Sequence, residues 1–354
     1  MCSLKPKIYR LATSPSTMGN VLKPQDPLSF AYEPLLSPPV DAENASLRVF
    51  SCVKELKKAT KNFERERVVD GEDGSVRTFY KASIDDTSSR TKTRISVSVM
   101  ECVQDSLDAI EAWKEEVKSL GEHSHPNIVN FLGYCCEDTK SLLVFEYLHK
   151  GTLDHHIYGK NEVLSWATRV KIANGIAQGV AFLHLINNSS LYFELRMHNI
   201  MLDEEHNAKL FYLATNKKCL ENCLILERGH IYMPHGCLTV CITYVGDFKM
   251  DTDVFAFGVI LPELFTCSKE GDLLAHSIAL RNGAKKLKRN KSLDVGGTRP
   301  FSFTKIIDPR LEGDYPVTAA VRMGTLIQKC TEDRPTRPSM HQVLDVLNHI
   351  AEIH

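Results

Sequence analysis

The pattern of apolar and polar residues predicts that regular structure begins near residue 50. Residues 1–46 hold seven of the fifteen prolines and show no sustained periodicity, so we expect a flexible tail there. After the tail, apolar residues recur at three- and four-residue spacing: Val53, Leu56, Ala59 and Phe63. This spacing predicts an amphipathic helix, and Ser51 is a suitable N-cap for it.

Further along, the pattern predicts strands first and long helices later. Residues 95–99 alternate like a half-buried strand, and residues 142–148 form a continuous apolar run typical of a buried strand. Residues 166–184 predict a long helix with one apolar stripe: Trp166, Val170, Ala173, Ala177, Val180 and Leu183. Residues 253–261 are apolar on all sides, which predicts a central buried helix, and Pro262 should kink or end it.

Composition excludes several classes of protein. The 354 residues are 43% apolar and 25% charged with a formal net charge of −1, so no protein-wide nucleic-acid footprint is present. The longest apolar run, at 254–261, is far shorter than the roughly 20 residues of a membrane span. No secretory signal is visible at the start, so the eleven cysteines are expected to be reduced thiols.

One segment offers residues of the types that bind zinc: Cys219, Cys223, His230, His235, Cys237 and Cys241. Three residues separate the two cysteines of each pair, whereas the common zinc knuckle has two. We therefore expect no metal site there.

A run near the middle of the chain carries the most specific signal. Asn-Ile-Met-Leu-Asp at 199–203, followed by Ala-Lys-Leu at 208–210, resembles the Asn-Ile-Leu-Leu-Asp... Ala-Lys-Leu-Ser-Asp-Phe-Gly run of protein kinases. In that family the catalytic Asp lies five residues before the Asn, and Glu194 stands there. The resemblance gives Asn199 a metal-binding role and puts Tyr212 at the position of the Asp that holds magnesium. No carboxylate remains at that metal position.

The nucleotide-binding positions also depart from the kinase pattern. The segment Val-Asp-Gly-Glu-Asp-Gly-Ser-Val at 69–76 resembles the family's Gly-x-Gly-x-x-Gly-x-Val loop, with Gly71 and Gly74 retained and Val69 in place of the first glycine. Those glycines let the backbone close over phosphates. Glu72 and Asp73 at the tip of the loop would repel a triphosphate.

The resemblance places four more residues around a nucleotide. Ser98 stands where the phosphate-binding Lys belongs, and Glu116 is the helix carboxylate that pairs with that Lys in the family. Because an unpaired buried carboxylate is costly, Glu116 should find another donor or turn to water. Phe145 takes the gatekeeper position, and the backbone of Leu148 lies where adenine would be recognised. Lys92 is the nearest upstream replacement for the missing Lys, although we favour a solvated loop residue there.

Two positions in the second half of the chain have structural roles in the family. Asp253 normally bonds the backbone of the catalytic loop. Arg337, in Arg-Pro-Ser-Met at 337–340, usually pairs with the Glu of an Ala-Pro-Glu motif. His235 stands at that Glu position in the nearest match, so Arg337 needs a different partner.

Residues 50–63, at the start of the predicted ordered region, indicate which group of protein kinases the chain resembles. Phe50-Ser51, Glu55-Leu56, Ala59-Thr60 and Asn62-Phe63 are similar to the start of the plant receptor-like cytoplasmic kinases. The resemblance implies an α+β fold, the bilobed protein kinase fold. It also implies a tail at 1–46, a small β-rich lobe at 50–147 and a larger helical lobe at 148–352.

The departures indicate a degenerate member of that family, a pseudokinase that acts as an adaptor, decoy or scaffold in plant receptor or immune signalling. The expected partners are proteins, namely receptor kinases or immune signalling components, with no nucleic acid, no membrane span and no ATP or magnesium cofactor. The expected location is the cytoplasm. A second possibility is the inner face of the plasma membrane, if the tail is acylated. One alternative is a weakly active serine/threonine kinase that uses Glu194 and Asn199. Another is nucleotide binding at Leu148 without transfer.

Overall fold

A computed structural model describes residues 48–49, 53–70, 76–85, 93–102, 114, 117, 124–137, 140–147, 150–159, 163–187, 195–211, 250–268, 303–332 and 336–353. All of these residues belong to the compact unit Ala42–His354. The expected tail at 1–46 and the cysteine-rich segment at 219–241 lie outside them.

The first half of the described chain forms a twisted sheet. Its strands are β1 (Arg48–Val49), β2 (Arg65–Asp70), β3 (Val76–Asp85), β4 (Arg94–Cys102), β5 (Phe131–Glu137) and β6 (Lys140–Glu146). The order is β1-β5-β6-β4-β3-β2, and every pair is antiparallel except β1 with β5. Asp70 pairs with Val76, so the segment with Gly71 and Gly74 connects two paired strands, but the two glycines are outside the described residues.

Strand β4 differs from the half-buried strand that the alternation predicts. Ile95 is 37% exposed, whereas Val97, Ser98 and Val99 are all buried. The reason is the place of β4 between β3 and β6, because one face of this part of the sheet packs under a helix and the other faces an aromatic cluster. The polar Ser98 is therefore as buried as its valine neighbours.

The first helix, α1, is shorter than predicted. It spans Val53–Ala59, and Lys61, Asn62 and Phe63 follow with φ of 51°, 66° and 57°. This left-handed turn ends the helix before Phe63, yet it returns the Phe63 ring to the sheet, 5.2 Å from the ring of Tyr80. The apolar spacing therefore identified the residues that pack on the sheet correctly, with Leu56 buried and the other three partly buried, and the helix end wrongly.

The second half holds a small sheet and most of the helices. The sheet consists of β7 (Gly151–Thr152), β8 (Ile200–Leu202) and β9 (Ala208–Leu210), paired in that order and antiparallel. The α-helices that the structure describes in this half are α2 (Leu153–Tyr158), α3 (Trp166–Asn187), α4 (Met250–Thr266), α5 (Val317–Cys330) and α6 (Met340–Ala351). None of the helices in this part of the chain is long and apolar enough to span a membrane.

Helix α3 has the predicted stripe buried in the core of this half. The helix buries further residues as well, namely Arg169, Ile172 and Ile176. It packs against β9 through Gly179, where an added Cβ would lie 2.8 Å from Cδ1 of Leu210 and 2.9 Å from the carbonyl oxygen of Asn127. This close approach fixes the hairpin of β8 and β9 on the helix.

Helix α4 does not end at Pro262, contrary to one of the two outcomes predicted for that residue. It continues to Thr266. Proline removes one backbone hydrogen bond from a helix. Here Leu261, Leu264 and Phe265 are fully buried around it. The packing of these side chains compensates for the lost bond.

Candidate functional site

The position of the phosphate-binding lysine carries a buried hydroxyl group. Ser98 is 2% exposed and lies on β4, with Lys81 of β3 and Phe145 of β6 as its Cα partners in the two neighbouring strands. Ser98 and Phe145 are thus side by side, as the resemblance to kinases requires. A serine hydroxyl has no charge to offer a phosphate.

A lysine that the sequence did not single out lies directly across from Ser98. Lys81 is exposed, and its ammonium donates to the hydroxyl of Tyr147 at 3.0 Å and lies 4.1 Å from the centre of that ring. Lys92, the replacement considered from sequence, is outside the described residues. Lys81 is identified only by the register of β3 against β4, because a sequence pattern does not show which residues of two strands face each other.

The catalytic-loop segment keeps its backbone framework. Asn199 ends a 3-10 turn, Met197–Asn199, and is buried. Its carbonyl oxygen accepts a hydrogen bond of 2.7 Å from the backbone N–H of Phe211. Glu194 and Tyr212 are outside the described residues, so their assigned roles stay predictions.

An aromatic cluster occupies the inner part of the cleft between the two sheets. The ring of Phe211 lies 4.8 Å from that of Phe145 and 5.5 Å from that of Phe79, and Phe131 adds a further contact to Phe145 at 5.4 Å. Met201 on β8 belongs to the same cluster. The cluster therefore joins the large sheet to the small one with apolar side chains.

An open cleft of about 480 Å³ remains outside this cluster. Its charged lining residues are Glu146, Asp203, Glu204, Glu205 and Lys209. Lys209 bonds both carboxylate oxygens of Glu146, at 2.9 and 3.1 Å. The cleft thus has four carboxylates against one ammonium group, which is unfavourable for a phosphate chain.

Asp203 is committed to the turn between β8 and β9. One carboxylate oxygen accepts from the backbone N–H groups of Glu205 and Asn207 at 3.0 and 2.8 Å, and the other accepts from the Asn207 side chain at 2.8 Å. This carboxylate therefore shapes the hairpin. Among the residues that the structure describes, no group of three or more His, Cys, Asp or Glu could hold a metal ion.

Two of the three structural positions lie in the described part of the chain, and both have identifiable partners. Asp253 on α4 contacts His184 on α3, with 2.8 Å between the carboxylate and Nε2. Arg337 donates to the carbonyl oxygens of Glu332 and Asp251, at 2.7 and 3.1 Å. Glu116 is outside the described residues.

His125 has a structural environment. Its ring stacks on Phe182 with centroids 4.6 Å apart, and Nδ1 accepts from the backbone N–H of Asn127 at 3.1 Å. Burial lowers its pKa, and the nearby positive charge of Lys209 lowers it further. This histidine is therefore neutral near pH 7 and braces the turn that leads to β5.

A nucleotide with its metal does not fit the residues present here. Ser98 offers no charge to a triphosphate, and the Lys81 ammonium across from it is bonded to the Tyr147 hydroxyl. Phe145, the other strand neighbour of Ser98, packs against the Phe211 ring. The hinge residue Leu148, where adenine would be recognised, lies outside the described part of the chain.

Comparison with known proteins agrees with the fold and the motifs. Residues 65–347 match the family described as "Protein tyrosine and serine/threonine kinase". The chain is 48% identical over 352 residues to the inactive serine/threonine-protein kinase BKN2 of Arabidopsis thaliana, and 50% identical over 352 residues to the inactive serine/threonine-protein kinase BKN1 of the same plant. Both matches cover 95% of this chain and 99% of the relative.

A more distant relative is the probable serine/threonine-protein kinase PBL11 of Arabidopsis thaliana. It is 32% identical over 340 residues, which is 91% of this chain and 82% of that protein. The expected resemblance to plant receptor-like cytoplasmic kinases is confirmed, as is the α+β bilobed fold. The lobe boundaries at 50–147 and 148–352 stay a prediction. The chain belongs to the protein tyrosine and serine/threonine kinase family.

Proposed function

We propose that this protein is a pseudokinase, a kinase-fold protein that does not transfer phosphoryl groups. The observation that carries the proposal is the composition of the cleft. A buried serine replaces the lysine, and the Phe211 ring packs against Phe145, the strand neighbour of that serine. Phosphoryl transfer depends on positioning and on charge stabilisation by lysine and metal together. The same conclusion is supported by the two relatives with 48% and 50% sequence identity, because both are named inactive kinases.

The function that remains for such a fold is binding to other proteins. We place the protein in receptor or immune signalling in plants, as an adaptor, decoy or scaffold for receptor kinases or their partners. Its location in this proposal is the cytoplasm, at the inner face of the plasma membrane if the tail is acylated. The alternative enzyme would need Glu194 as base and Asn199 as a metal ligand, with no cation at Ser98.

A thermal melt with ATP tests whether the cleft binds nucleotide. A ligand at about 100 times its dissociation constant stabilises a protein by roughly 2.7 kcal/mol, which is a shift of several degrees for a chain of this size. We expect no shift that depends on magnesium or manganese, because neither the lysine nor the metal-holding carboxylate is present. An active kinase of the same family, measured in parallel, is the positive control. A rise that requires magnesium would contradict the proposal.

A second test separates binding from catalysis. The variant Glu194→Ala should retain the full biological output of the protein, because no chemistry depends on that carboxylate in a binding module. The measurement is complementation of a line that lacks the protein, with protein abundance and melting temperature matched to the parent. Loss of output with the fold unaltered would point to the alternative enzyme.

A further inference from the structure

The side chain of Phe211 lies across the boundary between the two sheets. Phe211 directly follows β9, yet its ring contacts Phe79 of β3 and Phe145 of β6. We propose that Phe211 is a built-in occupant of the cleft, an aromatic ring of the chain itself that joins the two lobes where a nucleotide base would otherwise do so. The proposal rests on the pseudokinase function, because it takes this cleft to be the degenerate nucleotide site.

The backbone around Phe211 is held on two sides. Its N–H donates to the carbonyl of Asn199 at 2.7 Å, which ties it to the catalytic-loop segment. On the other side Leu210 donates to the carbonyl of Asn127 at 2.8 Å and accepts from the N–H of Val129 at 3.0 Å. The Asn127 side chain adds a bond of 2.9 Å to the carbonyl of Ala208. The ring is thus presented from a fixed backbone.

The ring contacts are those of a packed aromatic cluster. Phe211 meets Phe79 nearly edge to face, with 80° between ring planes, and meets Phe145 at 56°. All three rings are buried, and so is Met201, which comes from β8. Offset and edge-to-face arrangements are the favourable geometries for aromatic rings. The contact from β3 and β6 down to β8 is therefore continuous and apolar.

The resemblance to kinases shows how large the change at this position is. The family run that residues 208–210 match continues with Ser, whereas this chain has Phe211. A serine would leave room beside Phe79 and Phe145, and the Phe211 ring fills it. The Phe211 ring and an adenine base are similar in one respect, because both are flat aromatic groups that pack between apolar surfaces. A buried apolar cavity left by a shortened side chain can take up a small aromatic molecule.

This comparison defines the ligand that a shortened residue 211 should accept. It is a planar aromatic heterocycle without phosphate groups, because Ser98 carries no charge and the outer cleft carries Glu204 and Glu205. Adenosine carries such a heterocycle and needs no metal, and its ribose can extend into the open cleft, because Met201 of the aromatic cluster also lines that cleft. It is the probe for the test.

The experiment measures adenosine binding by calorimetry and by thermal melts for the parent, Phe211→Ala and Phe211→Ser. We expect no saturable binding to the parent, and saturable binding with an adenosine-dependent rise in melting temperature for both variants. Phe265→Ala is the matched control, because it removes the same ring from the large-lobe core beside Trp166. It should be destabilised without gaining adenosine binding. Phe211→Leu, which keeps an apolar side chain, serves if the smaller variants fail to fold.

The slowing of amide hydrogen exchange by adenosine gives a second readout that loss of stability elsewhere does not mimic. The N–H groups of Val129 and Leu210 bond across the boundary, so their exchange should accelerate in Phe211→Ala and slow again with adenosine. Phe265→Ala also accelerates amides that exchange through global unfolding, but adenosine should slow neither amide in that variant. Equal adenosine binding by parent and variant, or unchanged binding and exchange in every Phe211 variant, would overturn the proposal. Phosphate transfer by the parent is a separate assay, and a positive result there would overturn the pseudokinase function instead.

Discussion

Replacing Asp308 with asparagine is expected to lower the free energy of unfolding by about 3 to 5 kcal/mol, because it leaves a buried guanidinium without its counter-charge. Arg169 on α3 and Asp308 each have side chains only 1% exposed, and 2.6 Å separates Nη2 of Arg169 from Oδ2 of Asp308. Arg310 also bonds both oxygens of Asp308. Urea denaturation of the parent and variant measures the difference.

The network around this pair explains the size of the effect. Arg169 also donates to the carbonyl oxygens of Leu164 and Leu264, at 2.8 and 2.9 Å. The thiol of Cys267 donates to Asp308 at 2.9 Å, and burial raises its pKa, so it remains protonated. One carboxylate therefore organises α3, the end of α4 and the segment before α5. An asparagine cannot accept from this many charged donors.

The stability difference between the parent and Asp308→Asn should depend on pH in a defined direction. Burial alone raises the pKa of Asp308, but hydrogen bonds from Arg310, Cys267 and Arg169 outweigh it and hold the pKa well below its ordinary value. A depressed pKa adds stability above the carboxyl's unfolded pKa of about 3.9, and this stability is lost as pH falls towards the folded value. The difference between parent and Asp308→Asn should thus be constant from pH 7 to 5 and shrink below about pH 4.

Two control variants separate the buried pair from ordinary surface charge. Asp314→Asn changes an exposed carboxylate on the same segment and should alter stability by less than about 0.5 kcal/mol. Arg310→Gln leaves the Arg169–Asp308 pair intact, and because the Arg310 side chain is 36% exposed it should cost less than Asp308→Asn. An Asp308→Asn loss no larger than that of Asp314→Asn would contradict the prediction.

The sequence predicts the elements that have long periodic patterns, and it predicts less where contacts come from distant segments. The stripe of α3 is buried as expected, and the helical period also places Arg169 within it, three residues after Trp166 and four before Ala173. Its partner Asp308 is 139 residues away. Nothing local in the sequence indicates which carboxylate neutralises this buried charge. The pairing of Lys81 with Ser98 was hidden for a similar reason, since it depends on strand register.

The motifs located the candidate site through the catalytic groups that it lacks, namely the phosphate-binding Lys and the magnesium-binding Asp. The structure shows which side chains lie there instead. The kinase pattern directs attention to Tyr212 at the metal position, whereas the residue just before it, Phe211, fills the cleft. A motif comparison treats Phe211 as a variable position. Its importance depends on Phe79 and Phe145, which come from two other strands. Only the folded chain brings these rings together.

No single back-substitution is expected to restore phosphate transfer. Groups that act as one catalytic unit are strongly non-additive, so Ser98→Lys alone leaves magnesium without its carboxylate at Tyr212. Tyr212→Asp alone leaves the phosphates without a lysine. Glu194 also carries its carboxylate one methylene further than Asp, and a misplacement of about 1 Å can cost roughly a hundredfold in rate. From sequence alone, the triple variant Ser98→Lys, Tyr212→Asp, Glu194→Asp is the smallest repair.

The structure raises that minimum to four substitutions. The triple variant retains the Phe211 ring against Phe79 and Phe145. Under the proposal above, this ring takes the place of an adenine base. We therefore expect radiolabelled phosphate incorporation into a generic protein substrate to stay at background for the parent, for each single variant and for the triple variant. The quadruple variant with Phe211→Ser is the first that should rise above background, and adding Asn199→Ala to it should abolish the signal. Phosphate incorporation by the triple variant would show that Phe211 does not block the cleft. Incorporation by the parent that is lost in Glu194→Ala would show that the protein is an active kinase.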